Sequence, residues 1–106
     1  GPLYPALADL FWDILSRLGL RDDTPIHVVS GYRSPRTNAA LARTDPQVAE
    51  NSYHIRGMAA DIRIPGIPGR RVAEAVRGLG RGGWAHYPRS DHVHVDVGPP
   101  RTWRVR

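Results

Sequence analysis

Along this chain the apolar positions change period, and each change marks an element. From Pro5 to Leu18, the residues Leu7, Leu10, Phe11, Ile14, Leu15 and Leu18 recur at the three- and four-residue spacing of one helix face. Pro5 suits the first turn of that helix and Gly19 its C-cap, while Trp12 is expected to serve packing. Asp22-Asp23-Thr24-Pro25 is turn chemistry, and Ile26-His27-Val28-Val29-Ser30 then reads as a short buried strand with His27 as a structural histidine. The polar stretch Ser30-Gly31-Tyr32-Arg33-Ser34-Pro35 leads into a second helix opened by Pro35, and residues 44–52 read as a loop.

In the second half the period shortens to two. Met58, Ala60, Ile62 and Ile64 form one face of a predicted strand, and Ala59, Asp61 and Arg63 the other. After a Pro/Gly loop at residues 65–69, Val72, Ala73, Val76 and Leu79 predict a helix from Arg70 to Leu79, stopped by Gly80. Residues 84–87 form a short strand closed by Pro88, and Arg89-Ser90-Asp91 turns into a last strand from His92 to Val97. There Val93, Val95 and Val97 face the core, and His92, His94 and Asp96 face outward. Gly98-Pro99-Pro100 ends the pattern, leaving residues 98–106 as a basic tail from which Trp103 would pack back.

This order predicts an α+β fold: a small, mostly antiparallel sheet with helices packed on one face. A chain of 106 residues fits one domain over residues 1–106, expected to be a monomer. With 41% hydrophobic and 24% charged residues, wholesale disorder is excluded. The net charge of +5 comes from scattered arginines; no nucleic-acid module or ordered basic stripe accompanies it, so nucleic acid is not the expected partner. No apolar run is long enough to span a bilayer and no secretory signal is visible, although Gly1-Pro2 is compatible with a cleavage remnant from which an export signal was removed.

The absence of cysteine excludes disulfides, thiolate ligands and a thiol nucleophile, so a metal would have to be held by His, Asp or Glu. If the strands bearing Asp61 and His94 pair, those two side chains lie together on the non-core face, and His54 on the preceding loop can complete a three-ligand set. Two imidazoles and a carboxylate suit zinc, and three protein ligands rather than four is the catalytic pattern. A spacing of this kind is equally compatible with ordinary hydrogen-bonded polar residues, and His86 reads either as a strand residue or as a neighbour of the site.

Ser52-x-His54-x-x-Gly57-x-Ala59-x-Asp61 resembles the first motif of the D-Ala-D-Ala metallopeptidases, a zinc fold class shared with lysostaphin-type peptidases and the hedgehog signalling domain. Ser30-Gly31-Tyr32-Arg33-Ser34-Pro35, Ile64-Pro65-Gly66, and Tyr87-Pro88-Arg89-Ser90-Asp91 followed by Val93-His94-Val95-Asp96 are similar to the bacterial peptidase M15-like murein endopeptidases. The resemblance implies one zinc ion on His54, Asp61 and His94, with Arg33 binding a substrate carboxylate and Tyr32, Ser52 and His86 near the substrate. It implies hydrolysis of peptidoglycan peptides in the bacterial envelope, whether by endopeptidase or carboxypeptidase action, with a non-catalytic zinc-containing binding module as the alternative. For the general base, one pattern in the class points to Asp91 and another to His92; the expectation is Asp91 as base and His92 as transition-state stabiliser. The chain departs from the murein group at His92, where an aromatic residue is expected, and at Ala85-His86, where Gly-Tyr is expected.

Overall fold

A computed structural model describes residues 5–29 and 57–106. The helix expected after Pro35, and the candidates Tyr32, Arg33, Ser52 and His54, lie outside the described residues. Helix α1 runs Pro5–Arg17 and buries Leu7, Leu10, Ile14 and Leu15, the positions its periodicity selected. It closes with Leu20 N–H donating to the Leu15 carbonyl (2.9 Å) while Gly19 holds a left-handed φ of 71°, the backbone a glycine cap supplies. Trp12 departs from expectation: it lies on the solvent side of α1 with 61% of its surface exposed.

Strands β1 (His27–Val28), β2 (Ala59–Arg63), β3 (Gly83–Tyr87), β4 (His92–Asp96) and β5 (Arg101–Thr102) form one sheet in the order β1-β2-β4-β3-β5. The β1–β2, β2–β4 and β4–β3 pairs are antiparallel, and only β5 joins β3 in parallel. Both edge strands span two residues, which limits the unpaired backbone offered to other chains. β1 is shorter than its apolar run predicted, and it is exposed rather than buried; Val28 is 52% exposed because an edge position leaves it little to pack against. The tail also differs from expectation, since the chain turns back beyond Pro100 and pairs Arg101 with Gly83 and Thr102 with Trp84.

Helix α2, Gly69–Leu79, follows a turn in which Ile67 N–H donates to the Ile64 carbonyl across Pro65-Gly66, with Gly66 at φ 81°. Proline second and a positive-φ glycine third is the requirement of a type II turn. Among the described residues the core lies between α1, α2 and one sheet face: Leu7, Leu10 and Ile14 of α1 and Val72 and Val76 of α2 meet Ala60, Ile62, Val93 and Val95. Alternation therefore sends Asp61, Arg63, His92, His94 and Asp96 to the other face. Ile62, wholly buried in the middle of this layer, is expected to cost about 2–4 kcal/mol as Ile62→Ala, read as a lower urea midpoint at unchanged slope.

Candidate metal and active site

The β2–β4 register puts Asp61 directly opposite His94, as strand alternation predicted. Asp61 Oδ1 lies 3.2 Å from His94 Nδ1. The other ring nitrogen of His94, Nε2, donates to Asp96 Oδ2 at 2.7 Å. With that proton committed to Asp96, a neutral His94 turns the Nδ1 lone pair towards the Asp61 carboxylate, so two acceptors face each other. Only a cation between or on them resolves that contact, either a proton or a metal ion. Burial works against a charged His94, but its bonds to Asp61 and Asp96 outweigh this and hold its pKa above the usual value. The same donors, an imidazole nitrogen beside a carboxylate oxygen, fit a zinc ion.

Asp96 is the residue that outward alternation misjudged, for it is 0% exposed. Its carboxylate accepts from Gly83 N–H (2.9 Å), Gly98 N–H (2.9 Å) and two Arg101 nitrogens (2.9 and 2.8 Å) besides His94. A buried carboxylate needs such donors and a compensating charge, and Arg101 of β5 provides the charge. Gly83 makes room for the pair, because a Cβ there would stand 2.5 Å from Asp96 Oδ2. Trp103 covers His94 at 5.1 Å between ring centroids and donates to the Tyr87 hydroxyl at 3.3 Å. These supports come from the supposed tail. The signal available for Asp96 was its place two residues beyond His94 on the same strand face, where a carboxylate can orient a ligating imidazole.

His92 shares the face of Asp61 and His94. Its Nε2 is 3.8 Å from Asp61 Oδ2, its Nδ1 is hydrogen-bonded with Ser90 Oγ, and its ring stacks on Tyr87 at 4.5 Å. Burial lowers its pKa despite the opposing pull of Asp61, which favours the neutral imidazole.

Asp91 and His86 are placed elsewhere. The β3–β4 register sets His86 opposite Val93, on the helix-covered face, where His86 Nε2 meets Asp91 Oδ1 at 2.7 Å. Asp91, with a φ of 54°, turns its other oxygen to accept from Gly69 N–H at 3.1 Å. It thus caps α2, whose preceding residue Pro68 supplies no side-chain cap. The geometry engages the expected base away from the Asp61–His94 pair, since at its positive φ the side chain meets His86 and the start of α2 at the rim of the helix side. His86 instead borders a groove of about 480 Å³ at the outer edge of β3, with Trp84, Pro88 and Trp103. His27 is likewise an exposed residue rather than a packed structural one.

Among the described residues no three His, Cys, Asp or Glu side chains are arranged to hold a metal by themselves. Asp61 and His94 supply two donors, and the third candidate, His54, lies outside the described residues.

Fold and site define a small α+β domain with helices on one sheet face and a His–Asp pair of metal-ligand chemistry on the other. The chain belongs to the peptidase M15 family described as peptidoglycan L,D-endopeptidase MepK, whose sequence model matches residues 1–103. It is 47% identical over 100 residues to a probable peptidoglycan L,D-endopeptidase MepK of Haemophilus influenzae, covering 94% of this chain and 53% of that protein. It is 40% identical over 99 residues to the peptidoglycan L,D-endopeptidases MepK of Escherichia coli K12 and Shigella flexneri, covering 93% of this chain and 53% of each. The chain thus spans about half the length of these curated relatives. No solved structure matches it.

The Asp91 cap has a pH signature. Hydrogen bonds from His86 and from Gly69 N–H hold its pKa below 3.8, so its stabilisation is complete above that value and is lost as the pH falls through the lowered folded-state pKa. Because the side chain is 55% exposed, Asp91→Asn is expected to cost only about 0.5–1 kcal/mol at pH 7. Urea titrations of the two proteins should converge as the pH is lowered from about 4 towards 2.

Proposed function

We propose that this domain is a zinc-dependent peptidoglycan hydrolase that cleaves an amide between an L- and a D-centre, in keeping with the name L,D-endopeptidase that its relatives carry. The observation that carries the reading is the Asp61–His94 cross-strand contact at 3.2 Å, with the second nitrogen of His94 taken by a buried carboxylate. Family membership adds the substrate class. Asp61, His94 and His54 would hold the ion, and Arg33 would bind a substrate carboxylate with Tyr32 and Ser52 near it. When bound, the ion acts as a Lewis acid on the substrate carbonyl and makes water a competent nucleophile at neutral pH.

In the hydrolysis a water oxygen bonds to the carbonyl carbon, the C–N bond breaks and the departing amine takes up a proton. His92 is the proton carrier in this reading, rather than Asp91. Its Nε2 faces Asp61, its Nδ1 is steadied by Ser90, and burial favours the neutral form able to accept a proton. Asp91 serves the fold as the cap of α2. Such a substrate belongs to the bacterial envelope, and the +5 charge favours encounter with an anionic wall.

Two predictions follow from these roles. Digestion of purified peptidoglycan, read by chromatography of the products, should yield new muropeptides that disappear with a zinc chelator and return on adding zinc; a digest unaffected by the chelator would exclude the metal. His92→Ala should lower the rate by about 10²–10⁴-fold while retaining zinc, whereas Asp91→Asn should remain near wild type. The reverse pattern in folded variants would return the base to Asp91.

A further inference from the structure

Two residues along β2 from Asp61, Arg63 points to the same sheet face. The distance between their Cα atoms is about 7 Å for an extended strand. One step on from the Ile62–Val93 pair, the register sets Arg63 beside His92; on its other side Arg63 lies opposite His27 of β1. A row of His27, Arg63 and His92 therefore borders the row that contains the Asp61–His94 pair. It carries no carboxylate of its own.

The Arg63 side chain is exposed yet anchored: its Nε donates to the Ser90 carbonyl at 2.9 Å. Ser90 also engages His92, so one turn residue fixes both side chains. No ion pair to Arg63 is formed among the described residues, and the nearby Asp91 is committed to His86 and Gly69. With Nε occupied, the two η nitrogens remain as a planar fork, the geometry that grips a carboxylate with two parallel hydrogen bonds. Pairing to a protein carboxylate would have left no fork to offer.

We propose that Arg63 forms a substrate-carboxylate site beside the catalytic pair, recognising a free carboxylate on the residue adjoining the cleaved amide. The separation supports this, because about 7 Å from Asp61 is the span of one to two extended residues. The proposal rests on the peptidase reading and specifies which end of the cleft reads charge. It is separate from the carboxylate contact expected of Arg33.

The test uses the full chain loaded with zinc and two stem peptides carrying an uncleavable ketomethylene in place of the scissile amide. One has the adjoining carboxylate free and the other has it as the carboxamide; calorimetry gives Kd for each. Wild type should bind the free acid about 10- to 100-fold more tightly, the range expected for a charged bidentate contact. Arg63→Ala should abolish that preference without weakening the carboxamide, and Arg63→Lys, which keeps the charge without the fork, should retain only part of it. A preference undiminished in Arg63→Ala, or no preference or binding in wild type, overturns the proposal. Turnover of the parent amide peptide by wild type is measured separately, so failure there counts against the peptidase reading rather than the carboxylate site.

Discussion

The site depends on one buried charge. Asp96, sealed under the second sheet face, fixes the Nε2 proton of His94 and so commits Nδ1 to the side of Asp61. The carboxylate is tolerable there because Arg101 and two backbone N–H groups meet it, and Arg101 reaches it because β5 doubles back against β3. A local pairing of two strand residues thus relies on a contact that closes the far edge of the sheet. Trp103 completes the arrangement by covering His94 from the same returning segment.

Much of this architecture was legible from periodicity. Leu7, Leu10, Ile14 and Leu15 in α1, and Ile62, Val93 and Val95 in the strands, are buried where the three-to-four and two-residue periods put them. Asp61 and His94 meet because both alternations were sound and the strands do pair. The misjudged residues have non-local causes. Asp96 shares a strand face with His92 and His94, but what covers it is a segment whose Gly-Pro-Pro start resembles a chain end. Asp91 could be placed only by its φ of 54°, which a turn sequence of ordinary residues does not announce. His86 followed Asp91 to the helix side through the β3–β4 register. His27 stands among apolar neighbours, which favours a packed position, yet a two-residue edge strand gives those neighbours little to bury against.

Functionally, the two faces of the sheet divide the labour. The helix face carries the core and, at its rim, the Asp91–His86 pair that ties the β3–β4 turn to α2. The opposite face carries the polar groups: Asp96 and His94 are buried, Asp61 and His92 are partly open, and Arg63 is exposed. A domain with one modest core thus holds the His94–Asp61 pair in place and still presents Arg63 at an open margin.

The most direct measurement of the central claim is X-ray absorption at the zinc edge on protein loaded with one equivalent of zinc. The account predicts a first shell of nitrogen and oxygen alone at about 2.0–2.1 Å, with imidazole scattering from two histidines that falls to one in His94→Ala. Imidazole scattering unchanged in His94→Ala, in a protein that still folds, would contradict it.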